Sequence, residues 1–440
     1  MVMEVRVKET SVVKPAEETP KVCLWTSNFD QLCVVHAQAV YFYKPPESTD
    51  FDGSFSGSDD FFNSTVLKDG LSKALVTYYP VAGRLKRNAS GRAEIDCTGE
   101  GAIFIEAETD SFMKDLGEFT PNEQLAPLFP TLDYSDDDIS LYPPFLVQVT
   151  HFKCGGVCVS TALSHILVDG VAGINFINTW SDLCRGVEDS KKPVPFFDRT
   201  LLRARDPPIV SFPHMEYKLP SVDIPATSPL PKISIAKLNL STMQANELKS
   251  KCNKDQYRFS TYEVMAGHIW RCLCKARELK DDEETTISIP LDCRSRSRPP
   301  LPAGYFGNAI FDNTIIAFSG DIVSKPLSYA VNCIHETFMS YGNDEYLRSA
   351  IDYLELNPSF RTIVKGKGCN FRLPTWVRLP IYEADFGWGK PIYMGPGVNR
   401  FVGRTFLIPN PPGSDGGFFL IIPLESEYQM NIFKKSFYDI

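Results

Sequence analysis

The chain has 440 residues, 43% of them hydrophobic and 22% charged, with a formal net charge of −9 and a sequence pI near 5.3. One hydrophobic core rarely grows past roughly 250–300 residues, so two domains are expected. An acidic chain without a basic stripe lacks the electrostatic footprint of a nucleic-acid partner.

The first twenty residues hold no apolar run of the kind that follows a basic start in secretory signals, and no stretch approaches the ~20 apolar residues of a membrane span. The expectation is a cytoplasmic protein. In that setting the Asn-x-Ser/Thr sequons at Asn63, Asn88 and Asn239 carry no glycan, and the twelve cysteines are reduced, mostly buried thiols. Cys-x-x-Cys is absent from the sequence, which leaves a zinc site without support.

In chain order, 44–60 is rich in Pro, Ser, Gly and Asp and reads as an exposed loop. Val66–Tyr78 has helical spacing and ends before Pro80. Ala102–Glu108 and Phe145–Phe152 read as strands. Val157–Leu163 is short and β-branched-rich, hence a further strand, and Gly173–Leu183 reads as a helix. The acidic run Asp136–Asp138 reads as a solvated loop. Residues 206–232 hold seven prolines and little periodicity; proline removes donors and fixes φ, so this is a long crossover rather than a helix or central strand. Beyond it, Thr261–Ala276 reads as a helix, Thr286–Pro290 as a strand and Tyr329–Tyr341 as a helix. Strands and helices mixed in both halves indicate an α/β (α+β) fold. The domains expected are 1–205 and 233–440, joined by the crossover 206–232.

There are six histidines. His36, His151, His214, His268 and His335 lack an interpretable carboxylate or glycine signature and read as structural or surface residues. His165 differs: a buried-looking strand runs into Ser164-His165-Ile166-Leu167-Val168-Asp169-Gly170, and a helix follows. A polar residue at the end of an apolar strand, before a glycine-containing turn, is where α/β folds place catalytic groups. His-x-x-x-Asp alone is a weak pattern. Either His165 and Asp169 form a catalytic pair, or His165 alone is the base and Asp169 is a structural ion held elsewhere; a turn at Gly170 favours the second. Metal binding would need a third ligand that the local sequence does not offer. Gly-x-Ser-x-Gly, the mark of serine hydrolases, is absent.

A second motif, Asp385-Phe386-Gly387-Trp388-Gly389-Lys390-Pro391, is far more specific. Together with His165-x-x-x-Asp169-Gly170, Tyr79-Pro80-Val81-Ala82-Gly83-Arg84-Leu85, Tyr305-Phe306-Gly307-Asn308 and the terminal Phe437-Tyr438-Asp439-Ile440, it resembles the BAHD acyltransferases over essentially the whole chain. The stretches Arg203–Pro208 and Trp376–Ile381 are similar to the hydroxycinnamoyltransferases within that family. The resemblance implies two chloramphenicol-acetyltransferase-like domains, each a mixed sheet flanked by helices, with acyl-CoA as co-substrate and no permanently bound cofactor or metal. It implies His165 as general base in a ternary-complex transfer to a hydroxyl or amine, and Asp169 turned away from the base to pair with an arginine, expected to be Arg294. It also implies that Asp385, Gly387 and Gly389 hold a turn, and that the protein is a monomer acting on small molecules.

Trp388, Tyr41 and Trp376 are candidates for the oxyanion and acyl pocket, and Ser260, Thr261, Arg296 and Arg298 for binding CoA. Acceptor recognition departs from the shikimate- and quinate-using members. Ile166 replaces the second histidine of a His-His pair. Ala37 and Ala39 stand where those enzymes carry small hydroxyl residues, Lys365 where they carry an arginine, and Pro374-Thr375-Trp376 replaces Thr-Ser-Trp. A lysine can pair with a carboxylate only as a point charge, without the guanidinium fork. A hydroxy acid, an alcohol or an amine remains open as acceptor, beside a catalytically silent acyl-CoA-binding homologue.

Overall fold

The computed structural model describes residues 3–45, 60–131, 134, 136–187, 193–217, 233–252, 259–358, 370–399 and 401–440. These form two compact units. The first comprises Met1–Arg203, Leu301–Ala309 and Leu379–Val398; the second comprises Ala204–Pro300, Ile310–Arg378 and Asn399–Ile440.

The first unit is built on strands β1 (Arg6–Val13), β2 (Cys23–Leu24), β3 (His36–Tyr43), β4 (Arg84–Arg87), β5 (Ala93–Asp96), β6 (Ala102–Thr109), β7 (Phe145–Phe152) and β8 (Val157–Ser164), with helices α1 (Ser64–Thr77) and α2 (Gly170–Cys184). The main sheet runs β1-β6-β7-β8-β3 and ends on the strand Tyr393–Pro396. Only β6 and β7 pair in parallel, so the sheet is mixed. Every residue of β8 is buried, Ser160, Thr161 and Ser164 included, which is why its sequence does not alternate between apolar and polar residues.

One sheet face packs on α1 and α2: Phe145 meets Phe176 and Trp180 edge-on, and Trp180 Nε1 donates to Leu67 O at 2.9 Å. Gly70 permits the two helices to meet, because a Cβ there would lie 2.3 Å from Cys184 Sγ. On the opposite face Phe42 stacks on Phe119 and touches Tyr393.

Where the sequence assigns all of 233–440 to a later domain, two returning segments pack with the first unit. The physical reason is pairing: Tyr393–Pro396 runs antiparallel to β3, Tyr393 opposite Phe42 and Pro396 opposite Ala39. The acidic, glycine-rich motif that precedes this strand therefore sits on the first unit's sheet.

In the second unit, Glu284–Asp292 pairs antiparallel with Ile310–Phe318 and parallel with Asn370–Arg372. A second three-stranded sheet is formed by Phe406–Pro409, Phe418–Leu424 and Ser234–Leu240. The helix Thr261–Ala276 starts on a capping box: Ser260 Oγ accepts Glu263 N, and the Glu263 carboxylate accepts Ser260 N at 2.6 Å. Its Gly267 lies against Val331 of the helix Leu327–Tyr341. Its His268 Nε2 donates to Phe437 O at 2.9 Å, which ties the terminal helix Glu427–Tyr438 to the same core.

Element positions follow the sequence reading closely, with Phe145–Phe152 and Thr261–Ala276 matching end to end. The stretches 46–59 and 218–232 of the expected loop and crossover lie outside the described residues.

Candidate active site

His165 follows directly on β8. In register, His36 of β3 faces Ser164, and His165 N donates to Val35 O at 2.8 Å, so both strands deliver their ends to the same corner of the sheet. Asp169 then caps α2: its Oδ1 accepts Ala172 N at 3.0 Å, satisfying one of the orphan donors of the first turn. Its Oδ2 accepts the backbone N–H of Ala309, also at 3.0 Å. The carboxylate is buried and thus joins the histidine turn to the returning segment 301–309.

That segment carries a residue whose role the sequence reading missed. Asn308 Oδ1 stands 3.1 Å from His165 Nδ1. Its Nδ2 donates to His165 O at 2.7 Å and to Asp30 Oδ1 at 2.9 Å. Both amide hydrogens are thereby committed to acceptors, so the Asn308 oxygen faces the imidazole. A carbonyl oxygen only accepts, so Nδ1 carries the hydrogen and Nε2 of the neutral ring keeps its lone pair. Gly307 is required by close approach: a Cβ there would lie 2.8 Å from Arg199 Nε and 3.1 Å from the Tyr305 ring. Tyr305-Phe306-Gly307-Asn308 stood in the sequence as a family mark, but its contact with His165 spans 143 positions and leaves no local signal.

The motif at 385–389 is a turn. Asp385 Oδ1 accepts Gly387 N and Gly389 N, each at 2.9 Å, and both glycines have positive φ, 110° and 101°. Phe386 plugs between Trp180 and Tyr43. Trp388 packs on Phe62 and Phe61, and Phe62 in turn packs on Tyr43. Tyr43 pairs with Val157, at the other end of β3–β8 from Ser164. Seven residues of extended chain separate those ends by roughly 20 Å. The indole of Trp388 therefore lies remote from His165, and its candidacy as oxyanion donor is withdrawn.

Tyr41 is likewise corrected. Its side chain is 1% exposed, and burial pushes its phenol well above the ordinary range; it is packed core, because β3 is covered on both faces at that point. Ala37 is exposed and Ala39 half-buried. They share a face, opposite Leu163 and Thr161, at the His165 end of the strand.

The remaining candidates belong to the second unit. Arg294 Nη1 lies 3.3 Å from Asp292 Oδ1. Ser260 caps its helix and Thr261 is the first helical residue. Arg296 N donates to Cys293 O, and Arg298 Nη1 donates to the carbonyls of Ser295 and Ser297. Thr375 bridges to Leu407, and Trp376 packs edge-on against Phe406. Lys365 lies outside the described residues.

A second constellation arises among residues that the sequence reading treats as structural. His214 Nδ1 meets Glu216 at 2.8 Å, and its Nε2 meets Ser349 Oγ at 2.7 Å. The order resembles a nucleophile, base and acid. All three are buried, however, and Ser349 Oγ accepts Ser211 N and Phe212 N. The cluster fastens 211–216 to the helix Asp344–Leu356, and among the described residues its three side chains are closed off from solvent.

Among the described residues no group of His, Cys, Asp and Glu could hold a metal ion, and no helix is long and apolar enough to cross a membrane.

The first unit thus presents His165 at the end of a central strand, beside Asn308 of the returning segment. The crystal structure of vinorine synthase is similar over 98% of this chain and 96% of that one, with a TM-score of 0.74 at 22% identity. The Transferase family matches residues 3–440, and the chain belongs to that family, the BAHD acyltransferases. A shikimate O-hydroxycinnamoyltransferase of Nicotiana tabacum is 47% identical over 450 residues, covering 99% of this chain and all of that protein. A hydroxycinnamoyl-CoA:5-hydroxyanthranilate N-hydroxycinnamoyltransferase of Avena sativa is 40% identical, covering 100% of both.

Proposed function

We propose that this acyltransferase moves a hydroxycinnamoyl group from CoA to a hydroxyl acceptor, a hydroxy acid or alcohol, with His165 Nε2 as general base. The observation that carries this reading is the contact between His165 Nδ1 and Asn308 Oδ1, which puts the ring hydrogen on Nδ1 and the lone pair on Nε2. Imidazole is the side chain whose unperturbed pKa, ~6.5, suits proton abstraction near neutral pH.

The acceptor oxygen loses its proton to Nε2 as it attacks the thioester carbonyl, giving a tetrahedral oxyanion. Collapse expels CoA as the thiolate, which takes the proton back from the imidazolium. Ester and free CoA leave; no acyl-enzyme forms, and the chemistry needs no group beyond the donor. Asp169 acts through its hold on Ala309 and, in this reading, through Arg294. Ser260, Thr261, Arg296 and Arg298 remain candidates for CoA, and Thr375, Trp376 and Lys365 for the acyl and acceptor pockets.

Amide formation is the second reading. It is favoured by Ala37 and Ala39, which offer no hydroxyl at the His165 end of β3, and by the Avena sativa relative, whose name gives an aromatic amine as its acceptor.

The test is a competition assay. p-Coumaroyl-, caffeoyl-, benzoyl- and malonyl-CoA are offered against shikimate, quinate, an aromatic hydroxy acid, tyramine and spermidine, with His165→Ala alongside. Ester formation lost in the variant supports the first reading, and amide formation the second. If no pair reacts and the variant matches the parent, the chain is a silent acyl-CoA-binding homologue.

A further inference from the structure

Asp30 lies at the start of a short 3-10 turn before β3 and is 0% exposed. Its Oδ1 accepts two hydrogen bonds from one residue, the backbone N–H of Asn308 at 2.8 Å and its side-chain Nδ2 at 2.9 Å. Its Oδ2 accepts Ser27 N at 2.7 Å and Ser27 Oγ at 2.9 Å, and Arg199 Nε stands 3.5 Å away. Arg199 is itself buried and donates from Nη2 to Leu167 O at 2.9 Å, within the histidine turn. A carboxylate this deep is tolerated only where donors surround it, and here Asn308, Ser27 and Arg199 all turn donors toward its oxygens.

That arrangement decides which way the Asn308 amide points. In the observed orientation the NH2 faces two acceptors, Asp30 Oδ1 and His165 O. Turned over, the amide oxygen would face the same carboxylate and carbonyl, two repulsive contacts in a buried site. The imidazole sees the consequence: an oxygen, not an NH2, opposite Nδ1.

We propose that Asp30 is a positioning residue for the transfer reaction: its buried carboxylate orients the Asn308 amide and so holds His165 in the Nδ1–H tautomer, with the lone pair on Nε2. The proposal rests on the reading of His165 as base. It places a carboxylate one residue removed from the histidine, on a segment 135 positions upstream in sequence from it, in the role of setting the tautomer, while the neighbouring Asp169 caps a helix.

The experiment is nitrogen NMR of the full-length enzyme labelled with 15N-histidine. Long-range proton–nitrogen correlations at about pH 8 keep imidazoles neutral, and a His165→Gln spectrum assigns the signal among the six histidines. The parent enzyme is expected to show the Nδ1–H pattern. Asp30→Asn is near-isosteric but presents an amide, which can invert Asn308; the signal should move toward the Nε2–H pattern. With it kcat should fall on the order of 10²-fold or more, as loss of a general base or a wrong tautomer does elsewhere. KM for acyl-CoA should change by less than about threefold.

Should Asp30→Asn fail to fold, Asn308→Ala removes the acceptor from Nδ1 and is read by the same signal. A parent His165 in the Nε2–H form overturns the proposal, as does a folded Asp30→Asn that keeps the Nδ1–H pattern and its kcat. Undiminished turnover by His165→Ala would instead overturn the base assignment, and the NMR reading does not depend on that result.

Discussion

The carboxylate of Asp169 accepts the backbone N–H of Ala309 at 3.0 Å while Asp30 accepts that of Asn308 at 2.8 Å. Two consecutive amides of the returning segment are therefore gripped by two buried acids, and Asn308 is held in place from both sides. Asp169→Asn can satisfy only one of its two N–H partners, because the new NH2 turns a donor on the other. Loss of a charge-assisted bond and of an N-cap should destabilise the fold by about 2–4 kcal/mol. Urea unfolding followed by far-UV circular dichroism measures this. A loss below about 1 kcal/mol with unchanged kcat would show that the grip on Ala309 does nothing.

Trp388 is expected to serve stability rather than chemistry. Removing an oxyanion donor costs roughly 10²–10³-fold in kcat. Trp388→Phe deletes the indole N–H but keeps a ring against Phe61 and Phe62, so kcat should stay within about threefold of the parent. A hundredfold fall would return the residue to the active site.

The adjacent glycines should respond to backbone strain alone. An added Cβ at Gly387 would meet only Arg185 Cγ at 3.5 Å, ordinary contact, and one at Gly389 would meet nothing within 4 Å. Their φ values of 110° and 101° nevertheless suit glycine only. Each Gly→Ala change should cost about 1–3 kcal/mol in unfolding free energy, with kcat per folded molecule preserved. A variant as stable as the parent would mean that the turn adopts another conformation in solution.

Much of this was legible in the sequence where the signal is local. The strand-forming stretches of β7 and β8 and the helical spacing of Thr261–Ala276 act within a few residues, and His165 stands out by its position at the end of a strand. The rest fails for reasons of distance and burial. Asp30 and Asn308 are 278 positions apart, and an acid in Ser27-Asn28-Phe29-Asp30 looks like any turn residue until a buried partner is known. The assignment of 385–398 to the later half followed chain order, whereas strand pairing sends it to β3. Tyr41 shares a face with Ala37 and Ala39, yet it is buried where they are not, a difference that only packing reveals.

Acid sensitivity should set in near the histidine range, ahead of the carboxylates. Burial lowers the pKa of His36, His151 and His268. A base with a depressed folded pKa takes up its proton more readily when unfolded. Stability is therefore retained above about pH 6.5 and lost as pH falls below it. The expected result is a falling unfolding free energy between about pH 6.5 and 5, with a shallower slope in His268→Gln. A flat profile through that window would show that the three rings are as accessible to protons folded as unfolded.

Acceptor choice should be adjustable from β3. Ala37 and Ala39 share a face at the His165 end of the strand, and both retain some exposure, so a hydroxyl can be added there without opening the core. Ala37→Thr combined with Ala39→Ser supplies two donors to a polyhydroxylated ring. At ~0.5–1.5 kcal/mol per neutral hydrogen bond, each should raise kcat/KM for shikimate by roughly 2- to 12-fold. An acceptor without vicinal hydroxyls, tyramine for instance, should gain nothing, since the added groups find no partner on it and only narrow the site. The measurement is therefore the ratio of kcat/KM for shikimate to that for tyramine, parent against double variant. A ratio that rises ties acceptor recognition to this face of β3; one that stays fixed while both values fall would mean that the two positions only bound the cavity, and that the acceptor's hydroxyls are read elsewhere.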